Sequence, residues 1–144
     1  MKRFFLTAVF LFATTLIGTA ALACELNFTV LSKDGEEVEV RPGKEIKLTL
    51  GDTYTMKVEF VQDHRNCVTP PEATVYLLQE EKWNSSKEYL PLMLNEQKSW
   101  NEISPGTWVQ ELIFTAHESG KAELEIIRDC PKGGYDETLE FKVK

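Results

Sequence analysis

The side chains best suited to metal or thiol chemistry in this chain are few: Cys24, Cys67, Cys130, His64 and His117. His64 stands three residues before Cys67 in the segment DHRNCVTPPE, and Cys130 lies in a second polar loop, RDCPKGGY. Together His64, Cys67 and Cys130 could make a His/Cys2 metal site. Zinc sites take four protein ligands, or three and a water. His117 belongs to a different turn, expected at the opposite end of the domain. A blue-copper site wants a His and a Met soon after its Cys, yet no His follows Cys130 and the last Met is Met93. There is no Cys-x-x-Cys and no βαβ pattern to hold a redox pair. The hydroxyls sit in ordinary turn and strand contexts, without a nucleophile elbow. The expectation is a protein that is not an enzyme and has no cofactor, in which two cysteines form a disulfide, as they do in oxidising compartments.

An odd number of cysteines leaves one over. The simplest pairing is Cys67 with Cys130, leaving Cys24 lipidated or free. On the chain-entropy account, closing so long a loop stabilises by ~4 kcal/mol. Pairing Cys24 with either of the others stays open, and needs the N-terminal strand to reach the same end of the domain.

The N-terminus supplies the oxidising compartment. Lys2 and Arg3 precede an apolar run, Phe4 to Leu16, and a small-residue segment ends Ala21-Leu22-Ala23. Positive, then apolar, then small is the pattern of a cleaved secretory signal, and the run is short for a membrane anchor. Residues 1–23 are expected to be removed and 24–144 to form one domain. The segment also resembles a bacterial lipoprotein signal with Cys24 as its lipidated residue, although Ala21 stands where such signals usually carry Leu. That anchor is the only membrane association expected, and the alternative is a soluble periplasmic or secreted protein. The sequons at Asn27 and Asn84 read as chance in a bacterial export product.

Without the signal, 14 of the 16 Lys+Arg remain against all 23 Asp+Glu, a formal charge of −9. Such a surface repels phosphate backbones and excludes nucleic acid as a natural partner. The acid recurs at alternate positions (Glu37 and Glu39; Glu123 and Glu125), the mark of a solvated sheet face.

The elements that must position the loops are strands. Leu26, Phe28 and Val30 alternate, and Asp34-Gly35 signals a hairpin turn. Ile46, Leu48 and Leu50 alternate next. Tyr54, Met56, Val58 and Phe60 share one face of the longest strand, which runs into the Cys67 loop. Ala73 to Gln79 alternates less and is expected to be covered on both faces. Glu80 to Lys87 reads as a turn. Pro91 marks an edge strand or irregular segment over Tyr89 to Asn95. Asn101 to Gly106 reads as a loop, and Thr107 to Ala116 as a strand. The final hairpin sets Ala122, Leu124 and Ile126 against Leu139, Phe141 and Val143 around the Cys130 loop. This predicts an all-β, immunoglobulin-like antiparallel sandwich of about 7–9 strands, an antiparallel barrel being the rival. Trp108 is expected in the core. Trp83 and Trp100 border loops and are candidates for an aromatic surface that takes a sugar or peptide.

The last third, FTAHESGKAELEIIRDCPKGGYDETLEFKV, is similar to the end of chagasin-type cysteine protease inhibitors, which are small immunoglobulin-like domains. Arg128 falls where that family has the Arg of an Arg-Pro-Trp loop. Asp129 and Cys130 replace its Pro and Trp, and the family's other inhibitory loops have no counterpart in Asn66–Pro70 or in Ser104-Pro105-Gly106. The resemblance implies the fold, with cysteine protease inhibition as an alternative function. The principal expectation is an exported binding module whose disulfide-joined loop end (His64, Arg65, Arg128, Lys132, Gly133, Gly134 and Tyr135) contacts a protein partner carrying an anionic patch. A periplasmic metal carrier using His64, Cys67 and Cys130 is the other alternative.

Overall fold

The computed structural model describes residues 24–40, 43–62, 68–84, 91–131 and 134–144. The expected signal segment 1–23, the loop 63–67 with His64, Arg65 and Cys67, and the pair Lys132 and Gly133 lie outside the described residues. Those residues contain no α-helix, one 3-10 turn (Pro71–Ala73) and eleven strands: β1 Glu25–Ser32, β2 Glu37–Val38, β3 Ile46–Leu48, β4 Thr53–Val61, β5 Val75–Leu78, β6 Glu81–Lys82, β7 Leu92–Gln97, β8 Asn101–Ser104, β9 Thr107–Ala116, β10 Gly120–Arg128 and β11 Tyr135–Val143.

They form two sheets. One runs β2-β1-β4-β9-β7, with β8 also pairing β9; the other runs β3-β11-β10-β5-β6. Read as immunoglobulin strands, β1-β4-β9-β7 is the A-B-E-D order and β11-β10-β5 is G-F-C. The all-β immunoglobulin-like sandwich is therefore the observed fold. Its arrangement is not purely antiparallel, because β3 pairs with β11 in parallel, in the register Phe141↔Ile46 to Val143↔Leu48.

Period-2 patterning explains most of the strands. In β4 the row Tyr54, Met56, Val58 and Phe60 is buried and its alternate neighbours are half-buried. Leu112, Phe114 and Ala116 of β9 lie inward beside it, and Leu124, Ile126, Leu139 and Phe141 face them from the second sheet. Phe114 and Phe141 meet edge to face at 5.9 Å, an arrangement favoured by the ring quadrupole.

Five local expectations need correction. Asn101–Ser104 is strand β8, not loop, and turns into β9 at Pro105-Gly106, where Gly106 has φ 79°. Glu81–Lys82 pairs with β5 instead of lying in an open turn, through a two-residue connection with Gln79 at φ 50° and Glu80 at φ 67°; side chains other than Gly seldom adopt that conformation. β5 is covered on one face only, with Tyr76 and Leu78 buried and Val75 exposed. Leu50 lies beyond the end of β3 and is 47% exposed. Trp83, a candidate for an aromatic surface, is buried against Phe114 at 5.5 Å; it follows β6 closely enough to fold back over the core, where its indole area outweighs its loop position. Trp108 is half-buried and stacks on Phe60 at 5.4 Å. Pro91 precedes β7, which lies at a sheet edge.

Candidate functional site

The loop end of the sandwich is built around Arg128, the last residue of β10. Alternation along β10 places Ala122, Leu124 and Ile126 inward, and the same phase carries Arg128 inward as well. It is 1% exposed. Its guanidinium lies over the Phe60 ring, 3.9 Å from the centroid. One terminal nitrogen donates to the Pro70 carbonyl at 2.6 Å and the other to the Thr69 carbonyl at 2.5 Å. A planar fork with fixed donors suits two successive carbonyls in a way that a lysine would not. Each charge-assisted bond of this kind contributes about 1.5–3 kcal/mol.

Arg128 was expected to be a contact residue at the surface. It is instead the internal tie of that end. Its phase on β10 is visible in the sequence, since it lies two residues beyond Ile126; the basic side chain masked that signal. The Arg position that carries the likeness to chagasin-type inhibitors thus presents no exposed wedge.

The tie has a geometric consequence. It holds the chain just after the 63–67 loop against the strand end that opens the Cys130 loop. β1 begins at this end too, since Glu25 pairs with Val61. Cys24 therefore sits beside the end of β4, buried at 5% exposure, and Cys130 is half-buried. The N-terminal strand does reach the end of the domain where the other cysteines were expected, so the alternative pairings through Cys24 meet no topological obstacle. β1 starts at Glu25, the residue after Cys24.

The other side of the loop is held by Tyr135 and Gly134. Tyr135 pairs with Arg128 across the hairpin, and its half-buried ring tilts against Phe28 at 5.9 Å. Its hydroxyl donates to the Glu137 carboxylate. Burial, reinforced by that carboxylate, pushes the phenol pKa up. Gly134 is exposed, but an added Cβ would come within 3.0 Å of the Arg128 carbonyl oxygen. Asp129 and Pro131 are exposed, and Val68 is 84% exposed. With Arg128 withdrawn and Asp129 outward, the described part of the loop end is less basic than the sequence suggested. Among the described residues no cluster of three or more His, Cys, Asp or Glu could hold a metal; His64 and Cys67, two of the three candidate ligands, lie outside them.

No protein-family model matches this chain, and no curated protein matches its sequence. Among solved structures, it is similar to a cohesin module from a Clostridium perfringens family 33 glycoside hydrolase, at 12% identity over 82% of this chain and 98% of that one, with a TM-score of 0.39. A likeness this distant carries no inference about function.

Proposed function

We propose that the chain is an exported, non-enzymatic immunoglobulin-like binding module that contacts a partner protein through the tips of the 63–67 and 129–134 loops. The observation that carries this reading is the Arg128 fork on Thr69 and Pro70. It fixes the bases of both loops on a rigid sandwich, so that their tips present side chains at low entropic cost. The contact residues are His64, Arg65, Lys132 and Gly133, with Gly134 and Tyr135 shaping the base and Arg128 positioning it. A Cys67–Cys130 disulfide would be a second tie at the same place. Removal of residues 1–23 gives a soluble exported protein, a form that the buried position of Cys24 favours over a lipidated one.

Site-specific photo-crosslinking in the native host tests this. A crosslinker at position 65 or 132 should give one discrete protein adduct, lost when Arg65→Glu and Lys132→Glu are combined. A crosslinker at Ser119, in the turn between β9 and β10, should give none. Equal adducts from all three positions, or none from the loops, would remove the loop end as the contact. Intact mass with and without reductant reads the disulfide and the fate of Cys24.

A further inference from the structure

A second concave surface lies on the flank of the sandwich, where the β5–β6 edge of one sheet meets the β7–β8 edge of the other. It is an open cleft of about 500 Å³ lined by Glu72, Thr74, Asn84, Gln97, Trp100 and Gln110, among others. The volume is that of a small-molecule site.

Its floor is organised in a way the core does not require. Gln110 occupies an inward position of β9, in phase with Leu112 and Phe114, where an apolar residue would serve the core better. It is 4% exposed and held at both ends of its amide. The Tyr76 hydroxyl donates to Oε1 at 2.8 Å, and Nε2 donates to the Lys98 carbonyl at 2.7 Å. The second bond fixes the chain between Gln97 and Trp100, so the buried amide positions the residues of the cleft wall. Thr74 is only 7% exposed, and its hydroxyl has no hydrogen-bond partner among the described residues. A buried hydroxyl left unmatched costs free energy that a valine would not. Trp100 adds a half-buried indole.

The chemistry of this set is specific in kind. Amides and a hydroxyl offer both donors and acceptors, and the indole offers an apolar platform. Among the described residues the lining carries one carboxylate, Glu72, and one ammonium, Lys98, which pairs with Glu111 at 2.7 Å. The cleft is thus close to neutral on an acidic protein. A phosphate or carboxylate ligand finds no cationic clamp among the described residues, and a purely apolar ligand would leave the amides unmatched. We propose that the cleft binds a neutral saccharide of one or two rings, with a C–H face on Trp100 and hydroxyls exchanging hydrogen bonds with Asn84, Gln97 and Thr74.

The test follows the indole N–H signals of the three tryptophans by NMR while cellobiose, maltose, chitobiose and sucrose are titrated into the protein to millimolar concentration, the range expected for so small a ligand. At least one sugar should shift the Trp100 signal saturably and leave Trp83 in place. Trp100→Ala should abolish the response. Thr74→Val should raise the melting temperature while weakening that sugar about fivefold, the size of one hydrogen bond. The proposal falls if none of the four sugars moves Trp100, if the response survives Trp100→Ala, or if Thr74→Val leaves affinity unchanged. It also falls if the neutral tripeptide Ala-Ser-Ala saturates the Trp100 signal at the same concentrations as the sugars.

Discussion

The loop end and the flank cleft both bury polar side chains, but the two regions use them differently. At the loop end the two terminal nitrogens of Arg128 are matched by successive carbonyls, and its guanidinium lies over an aromatic face. In the cleft the Gln110 amide is matched at both ends, while the Thr74 hydroxyl beside it is not. A satisfied buried polar group reads as a fastener. One left unmatched at the wall of an open cleft reads as a place where something else can bond. The contrast teaches that burial alone does not separate structural from functional polar residues; the Trp83 indole N–H is also buried without a partner, but within the core, so what marks Thr74 is its place in the lining of a cleft.

The largest expected effect tests the fastener. Arg128→Ala leaves two carbonyls without their donor and a cavity over Phe60, and should cost about 4 kcal/mol, read as a lower urea midpoint. A loss well under that would mean the fork is idle and would erase the distinction between the two regions. Next come two tryptophans separated by seventeen positions. Trp83→Ala should cost about 3 kcal/mol because its indole fills the core, whereas Trp100→Ala should cost under about 1 kcal/mol. Equal losses would make Trp100 a core residue and remove the platform. Gly134→Ala should cost about 1–2 kcal/mol, because the new methyl meets the Arg128 carbonyl; a neutral result would show that the loop base can shift.

The smallest effect concerns the rim of the cleft. The Lys98 ammonium hydrogen-bonded to Glu111 holds that carboxyl below its ordinary range. A depressed carboxyl stabilises the fold above its unfolded pKa, and the contribution disappears as pH falls through the folded one. Lys98→Met should therefore narrow the stability difference between neutral and acid pH. The change should come below the ordinary carboxylate value of 4.5, in parallel urea titrations. Both side chains are largely in water, so the change should be slight, and added salt should shrink it.

Much of the architecture was legible in the chain. Alternation in Tyr54–Phe60 and in the last hairpin specified buried rows that the structure has. The boundaries of β9 were marked by Gly106 and by the turn that follows Ala116. What failed was local and had physical causes. Asn101–Ser104 is exposed throughout, so β8 leaves no hydrophobic period to read; its pairing comes from β9. Trp83 looked peripheral because its neighbours are polar, yet the turn brings it back over Phe114. The site was less legible than the fold. Arg128 was singled out for its charge, when its phase on β10 determined its role. Gln110 and Thr74 drew no attention, because a glutamine or threonine within a strand carries no signal until burial and partners are known. Trp100 is one of two aromatic candidates in the sequence, and only the burial of Trp83 distinguishes it.

The parallel seam between β3 and β11 has a consequence for how the chain is made. Its partners are about 95 residues apart, and β11 also fills the slot between β3 and β10. Until β11 has been synthesised, the second sheet lacks a member between β3 and β10, and those two strands have no neighbour on that side. Closure of the second sheet therefore waits for β11, and pairing between strands so distant in sequence is slow to form.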